Sequence, residues 1–130
     1  MNVEDMWAAD EASRALGMEL VEASEGRAVV RRTVRDDMLN GHGTAHGGLV
    51  AALADSAFAV ACNSHGVVTV AAGFDVTFLR AARTGDVLTA TADERTREGR
   101  SGICDVTVRT ADGGVVAEFR GRSRSLPPRD

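Results

Sequence analysis

The 130-residue sequence contains no lysine and no tyrosine, and only one tryptophan, four phenylalanines, two prolines and two cysteines. All 15 basic residues are therefore arginines, set against 19 acidic residues and a net charge of −4. This balance argues against a nucleic-acid-binding protein with a basic surface, although a local arginine patch for a phosphate remains compatible with it. With so few aromatics, the core has to be built from Ala, Val and Leu. The 44% of apolar residues excludes disordered and collagen-like chains.

The sequence also lacks a targeting or membrane-spanning segment. Residues 1–10 are acidic and contain no basic residue, unlike a signal or transit peptide. The longest apolar stretch, residues 49–62, is interrupted by Asp55 and is too short to span a bilayer. We therefore expect a cytoplasmic protein without a membrane partner. Cys62 and Cys104 are then expected to be reduced, buried thiols.

The hydrophobic patterns predict one α+β domain covering residues 1–130, in which a mostly antiparallel sheet packs on one main helix. Strands joined by short Gly-containing turns favour antiparallel pairing. The predicted elements are an N-terminal helix (5–16, closed by Gly17), strands 18–23 and 27–35, a glycine-rich loop 36–48, a central helix 48–63, strands 67–80, 86–97, 101–110 and 115–124, and a frayed tail 127–130.

The central helix carries an isolated carboxylate. Asp55 is the only charged residue between Gly47 and Cys62, and a helix that is apolar on nearly every side is expected to be buried on nearly every side. A lone carboxylate there costs several kcal/mol unless it is paired, hydrogen-bonded or protonated. Two interpretations follow. Asp55 pairs with an arginine of the sheet, or it acts on a ligand that lies beside the small side chains on the same face of the helix.

The loop before this helix favours the second interpretation. It reads Asn40-Gly41-His42-Gly43-Thr44-Ala45-His46-Gly47-Gly48, a glycine-rich turn leading into a helix. Such a turn presents free backbone N–H groups at the positive end of the helix dipole, where they bind a phosphate or stabilise an oxyanion.

The distance between these two features constrains how they act together. Gly47 and Asp55 are eight residues apart, which is about 12 Å along a helix axis. One reacting carbon cannot lie about 3 Å from both. If both groups act on it, the second comes from another subunit, and two antiparallel helices about a two-fold axis would bring each Asp55 near the partner's Gly47.

The run from Asn40 to Ser64, NGHGTAHGGLVAALADSAFAVACNS, resembles the phenylacetic acid degradation (PaaI) thioesterases of the hotdog-fold superfamily. The resemblance continues through FDVTFLRAARTG (74–85) and AEFRGRS (117–123). It implies a long helix wrapped by a curved sheet, dimers that often pair into tetramers, and hydrolysis of acyl-CoA thioesters in a pocket at the dimer interface. It implies no metal and no cofactor, because coenzyme A is part of the substrate.

The resemblance also implies roles for individual residues. Asp55 would be the nucleophile or general base, the Gly47 N–H would polarise the thioester carbonyl, and Asn40 would orient the water or the carboxylate. His46 would shape the turn and border the pocket together with Gly48. The residues expected to contact coenzyme A lie in two arginine-bearing turns, with Arg80 and Arg83 in one and Gly99, Arg100 and Ser101 in the other.

Other residues keep two interpretations. Asn63 caps the end of the helix or faces the pocket, and Phe74 belongs to the core or also to the acyl pocket. Some relatives have a hydroxyl residue where this chain has Ala59, and others a serine where it has Gly73, so direct attack and water activation both stay open. Several residues are expected to have structural roles only. His42 and His46 lack a third metal ligand, and His65 offsets the helix dipole. Arg31, Arg32 and Arg35 are expected on the surface, whereas Arg120, Arg122 and Arg124 share one face of a strand that is solvated or pairs with another subunit.

Three functions are compatible with these features. The first is a cytoplasmic thioesterase that hydrolyses aryl- or medium-chain acyl-CoA, including hydroxyphenylacetyl-type esters. The second is a hotdog domain that binds acyl-CoA as a sensor or carrier, and the third is a CoA-ester hydratase. An acid buried in an apolar helix favours the hydrolase, because a pure binder has no need of it.

Overall fold

The structure, a computed structural model, describes residues 2–127. The helices and strands follow the order expected from the sequence. They are α1 (Val3–Ala8), α2 (Glu11–Ala15), β1 (Glu19–Ser24), β2 (Arg27–Thr33), a short 3₁₀ helix (Asp36–Met38), α3 (Gly47–Asn63), β3 (Thr69–Phe78), β4 (Val87–Glu98), β5 (Ser101–Arg109) and β6 (Val115–Ser125).

The six strands form one antiparallel sheet in the order β1-β2-β4-β5-β6-β3. Helix α3 packs across the inner face of this sheet and contacts every strand. The expected α+β architecture is therefore confirmed. The sheet order itself departs from the chain order, because β3 pairs with β6 at the far edge and follows α3 as a crossover.

The core lies between α3 and the inner face of the sheet. Its helix side consists of small residues around one aromatic, Phe58, which is 1% exposed. Phe58 packs against Phe119 of β6 with ring centroids 5.8 Å apart. The core between helix and sheet is therefore built mainly from Ala and Val side chains, as the composition predicts.

The N-terminal segment differs from the single helix predicted over residues 5–16. It forms two short helices, because the Asp10 carboxylate accepts the N–H of Ser13 at 2.9 Å and so begins a new helix. A short acidic side chain competes for backbone hydrogen bonds in this way and favours a helix start over a helix interior. The predicted tail, residues 127–130, lies outside the described residues apart from Pro127.

Two burial predictions are also wrong. Arg32 was expected on the surface, but it is 2% exposed because it lies on the same inward face of β2 as Val30. Helix α3 was expected to be buried on nearly every side, but a strip along it, from Gly48 through Ala52 and Asp55 to Ala59, stays partly or fully exposed in the single chain. The buried and exposed sides of α3 follow from its position on one face of the sheet.

The exposed strip of α3 adjoins a second uncovered surface. Strand β3 is an edge strand, and it exposes large apolar side chains, among them Val70, Phe74 and Phe78. An unpaired edge with exposed apolar residues is typical of a surface that associates with another chain. The two-fold association predicted from the spacing of Gly47 and Asp55 would use these surfaces.

We expect Gly121→Ala to destabilise the fold strongly. A Cβ at Gly121 would lie 2.7–2.8 Å from three ring atoms of Phe58, and the buried ring has no free space to move into. Overpacking of this kind costs about 1–3 kcal/mol. Urea unfolding should show this loss, whereas Gly41→Ala, whose Cβ meets no atom within 4 Å, should leave the free energy of unfolding nearly unchanged. Equal stability of the two variants would contradict the packing described here.

Candidate active site

The loop before α3 is held in shape by Asn40. Its Oδ1 accepts the N–H of His42 at 2.9 Å and of Thr44 at 3.2 Å, while its Nδ2 donates to the Thr44 hydroxyl at 3.0 Å. The Ala45 N–H donates to the Ala82 carbonyl at 2.8 Å and ties the loop to the segment after β3. Asn40 therefore fixes the backbone of this loop, a use that the sequence did not reveal.

The first turn of α3 leaves one backbone donor free. His46 caps the helix: its Nδ1 accepts the Gly48 N–H at 3.0 Å, and its carbonyl accepts the N–H groups of Leu49 and Val50. Among the described residues the Gly47 N–H has no hydrogen-bond partner. The helix dipole concentrates positive partial charge at this donor, which makes it suited to a developing negative oxygen.

The cap also assigns the tautomer of His46. Because Nδ1 accepts a hydrogen bond, the proton of the neutral ring lies on Nε2. His46 thus shapes the turn, as expected from the resemblance. The Gly48 N–H is used by this cap, and Gly48 itself is exposed in the first turn of α3.

A cavity of about 410 Å³ opens beside this turn. Asn40 and Gly47 line it together with Arg80, so three of the residues singled out from the sequence come together in one chain. The remaining wall includes Thr44, Leu79 and Val116, which the sequence did not mark, and Phe78, which the sequence assigned to the core and which is 50% exposed. The apolar part of the wall suits an acyl or pantetheine chain, and the polar part suits a carbonyl or a phosphate.

Asp55 lies further along α3, on its exposed strip. Among residues 2–127 its carboxylate makes no hydrogen bond and no ion pair, so the described part of the chain does not support pairing with an arginine of the sheet. Burial raises the pKa of Asp55, and the negative charge of Asp10 raises it further. An unpaired carboxylate with a raised pKa is typical of a general base or nucleophile.

The N-terminal helices reach the vicinity of Asp55. The hydroxyls of Ser13 and Ser56 lie 2.7 Å apart, and Ser13 also donates to the Asp10 carboxylate at 2.6 Å. This chain of contacts fixes α2 against the middle of α3 and explains how Asp10 acts on Asp55. The sequence offered only the capping pattern of Asp10 and Ser13 as a signal for it.

The two arginine-bearing turns lie at opposite ends of the sheet. Phe78, just before Arg80, pairs with Ala117 of β6, whereas Ser101 pairs with Arg124 near the other end of that strand. At about 3.3 Å per residue, the turns are separated by more than 20 Å along the sheet. One chain therefore does not bring Arg80 and Ser101 into a single site.

The side chains of these turns have different surroundings. Arg80 forms a bidentate ion pair with Asp112, at 3.0 and 3.4 Å, and this arginine holds the pKa of Asp112 below its usual range. Arg83 is exposed, and among the described residues its guanidinium has no partner. In the other turn Arg100 donates to the Ser125 carbonyl, while Ser101 lines a separate cavity of about 400 Å³ that follows the left-handed turn at Gly99.

Three further candidates have clear positions. The Asn63 amide is used by the fold: it donates to the carbonyls of Ala59 and Thr69 and accepts the Thr69 N–H, at 2.8–2.9 Å. Asn63 is therefore the last residue of α3, with Ser64 as the C-cap, and its side chain ties the end of the helix to the start of β3. Phe74 is 42% exposed and stacks on Phe119 at 4.7 Å, so it has one side in the core and one side free. Gly73 faces Arg122, whose guanidinium lies 3.1 Å from the position a Cβ would take.

Thiol and metal chemistry find no support in the described residues. Cys62 and Cys104 are free and buried, and burial raises the pKa of each thiol to about 12. A thiol with that pKa is not a nucleophile at neutral pH. Residues 2–127 contain no cluster of three metal-ligating side chains.

His65 has a further contact besides its position at the end of the helix: its Nε2 lies 2.5 Å from the carboxylate of Glu94.

Comparison with known proteins agrees with this fold. The family model of the thioesterase superfamily matches residues 42–117. The acyl-coenzyme A thioesterase PaaI of Escherichia coli is 42% identical over 125 residues, which cover 96% of this chain and 89% of that protein. The chain belongs to the thioesterase superfamily, and it is a thioester-hydrolysing enzyme.

Solved structures are similar over nearly the whole chain. The structure of the E. coli PaaI protein from the phenylacetic acid degradation operon aligns with a TM-score of 0.95, covering 97% of this chain and 91% of that one. The TT0310 protein of Thermus thermophilus aligns with a TM-score of 0.87 at 40% identity, covering 90% and 98%. The hotdog fold and the resemblance to the PaaI thioesterases are thereby confirmed. Within residues 2–127, no helix has the length and apolar character required to cross a membrane.

Proposed function

We propose that the protein hydrolyses aryl- or medium-chain acyl-CoA esters, of the hydroxyphenylacetyl-CoA type, to the free acid and coenzyme A. The observation that carries this proposal is the pairing of two unused groups on one helix: the free Gly47 N–H beside the cavity and the unpaired Asp55 carboxylate. The relatives named as acyl-CoA thioesterases support the choice of substrate class.

The two groups act together across a dimer interface in this proposal. Antiparallel packing of two α3 helices about a two-fold axis places Asp55 of one chain near Gly47 of the other, because the eight-residue offset is then cancelled. The small residues of the exposed strip, Ala51, Ala52 and Ala59, permit a close approach of the two helices. The exposed edge of β3 supplies a second contact surface beside them. The resemblance extends this assembly to a dimer of dimers.

The dimer also accounts for the separated turns. An antiparallel arrangement sets the Arg80 end of one chain beside the Ser101 end of its partner. Arg83, which has a free guanidinium, and Arg80, which lines the cavity and keeps N–H groups beyond the two that it donates to Asp112, then bind phosphates of coenzyme A together with the partner's turn at Gly99 to Ser101. Asn63 is left out of the substrate site because its amide is used by the fold.

The reaction needs only protein groups. Asp55 either attacks the thioester carbonyl carbon directly, expelling the thiolate and leaving an acyl anhydride for water to open, or removes a proton from a water that attacks the same carbon. The Gly47 N–H donates to the carbonyl oxygen as it becomes negative. Asn40 holds the loop that presents this donor, and His46 holds the turn. Phe74 and Phe78 offer apolar surface to the acyl group.

A panel of acyl-CoA esters tests the proposal directly. We expect release of coenzyme A, followed with a thiol reagent, to be fastest with aryl and medium-chain esters and slow with acetyl-CoA. Esters of the same acids with N-acetylcysteamine, which lack the phosphates, should show a much higher KM. Saturable binding without release of coenzyme A from any ester would contradict the proposal and favour an acyl-CoA-binding domain. Full activity of a strictly monomeric protein would contradict the shared site.

A further inference from the structure

The most unusual side chain in the interior is Arg32. It projects from β2 into the core, is 2% exposed, and donates from Nη2 to the Leu49 carbonyl at 2.5 Å. Its Nε and Nη1 are buried and have no hydrogen-bond partner among the described residues. Leu49 belongs to the first turn of α3, two residues after Gly47. A buried cation thus lies directly beneath the turn that carries the free N–H.

Folding alone does not favour arginine at this position. The neighbours that share its face of β2, Val30 and Val34, are fully apolar, and the alternation predicts a third apolar residue between them. A buried charge costs desolvation energy that one hydrogen bond does not recover. A cation near a helix N-terminus also opposes the helix dipole.

Within residues 2–127, Arg32 forms no ion pair. Burial lowers the pKa of Arg32, and the positive charge of the neighbouring Arg35 lowers it further. Arginine nevertheless keeps its proton at neutral pH. The first turn of α3 therefore combines three sources of positive potential: the N-terminal end of the helix dipole, the free N–H of Gly47 and a buried cation without an ion-pair partner. That combination favours a negative group at the turn.

We propose that Arg32 is a positioning residue for thioester hydrolysis, whose buried charge strengthens the oxyanion-stabilising potential of the turn at Gly47. Arg32 does not touch the substrate. It acts through the helix turn that it holds at Leu49, and since one turn rises only 5.4 Å, its charge remains near the carbonyl oxygen bound by Gly47. In a water-poor interior a charge acts strongly at such distances. The proposal rests on the proposed function, because it requires negative charge to develop on that oxygen.

Three substitutions test the charge of Arg32. Arg32→Lys keeps the charge, Arg32→Gln keeps a polar side chain that lacks the charge and ends two bonds short of Nη2, and Arg32→Met keeps neither charge nor donor. We expect the Lys variant to retain kcat within about threefold, and the Gln and Met variants to lose at least tenfold in kcat with KM changed less than threefold. A loss confined to kcat identifies an interaction made in the transition state.

The neighbouring arginine provides a matched control. Arg31 points to the opposite, exposed face of β2 and pairs with Glu19 at 3.3 Å. Arg31→Gln removes the same charge one residue away, and we expect it to leave kcat and KM unchanged. Thermal unfolding and the molar mass in solution, measured for every variant, show which proteins are folded and assembled. If the Met variant does not fold, the Gln variant decides the result.

The outcomes are distinct. Retention of kcat by the Gln variant would overturn the proposal, because the reaction would then not require the charge of Arg32. A Met variant that is more stable than the unaltered protein and equally fast would also overturn it, because Arg32 would then serve no purpose in the reaction. Failure of the unaltered protein to release coenzyme A from any ester would overturn the proposed function, and this inference with it.

Discussion

Asp55→Asn should leave a folded protein that binds acyl-CoA but hydrolyses it roughly 10³-fold more slowly. The amide has the size of the carboxylate, yet it neither removes a proton from water nor attacks a carbonyl. Because the substrate itself carries little charge at the carbonyl, KM should change only a few-fold. Steady-state release of coenzyme A gives kcat and KM, and calorimetric titration with a non-hydrolysable acyl-CoA analogue gives the affinity.

The raised pKa of Asp55 adds a pH dependence to this result. The ionised carboxylate is the active form, so kcat of the unaltered protein should rise with pH through a pKa above the ordinary value for aspartate.

The raised pKa of Asp55 affects the stability of the fold with the opposite sign. A folded-state pKa above the unfolded one means that the folded state binds the proton more tightly, so stability is lost as pH rises through this window. Asp55→Asn should therefore be at least as stable as the unaltered protein at pH 7, and this advantage should vanish below the ordinary aspartate pKa.

The exposed Asp93 provides the control for this substitution. It pairs with Arg27 on the surface of the sheet, away from the cavity at Gly47. Asp93→Asn should leave kcat unchanged. An Asp55→Asn protein that keeps most of its activity while unfolding normally would remove Asp55 from the mechanism.

Gly47→Pro should lower kcat by about 10²–10³-fold, because it deletes the one free backbone donor of the turn. Proline is well tolerated at the first position of a helix, since its missing N–H has no partner there. His46 already has the extended conformation that a following proline requires, with φ −62° and ψ 128°. The backbone of the turn is thus compatible with the change, and the loss should appear in kcat measured by release of coenzyme A.

Gly47→Ala is the matched variant for this test. It introduces the same Cβ, 3.1 Å from the ring of Phe78, but keeps the N–H. The difference in kcat between the proline and alanine variants therefore separates the effect of the Cβ from the effect of replacing the N–H by the proline Cδ. Equal rates in the two variants would show that the Gly47 N–H does not stabilise the oxyanion.

The same variants test the site shared between subunits. When Asp55→Asn and Gly47→Pro chains are co-expressed, a mixed dimer carries one site with both groups intact, contributed by different chains. Random pairing makes about half of the dimers mixed, so about a quarter of the unaltered activity should return. If each chain formed its own site, the mixture would be as inactive as its components.

Local patterns predicted most of the fold. The period of apolar residues and the turn glycines placed α3 and all six strands to within about two residues of their observed ends. The prediction of a single N-terminal helix was wrong, because Asp10 begins a second helix by accepting a hydrogen bond from the N–H of Ser13. The position of β3 beside β6 was not predictable either, because strand order in a sheet depends on pairing between distant segments.

The candidate site was predictable where one segment carries the chemistry. The glycine-rich turn and Asp55 both lie in residues 40–63, and helix geometry alone shows that they cannot act on one atom within a single chain. The uses of Asn40 and Asn63 were not predictable in this way. Their amides are engaged by Thr44 and Thr69 through hydrogen bonds that depend on the path of the backbone.

The sequence by itself determined the chemistry that is available: an isolated carboxylate, a glycine-rich helix start, arginine as the only basic side chain besides histidine, and two cysteine thiols. Only the tertiary structure decided which of these groups are free to react. Arg80 is engaged by Asp112 and Arg32 is drawn beneath the first turn of α3, whereas Asp55 and the Gly47 N–H keep no partner among the described residues. The physical reason is that hydrogen bonding and burial join groups distant in the chain, and a sequence pattern reports only neighbours along it.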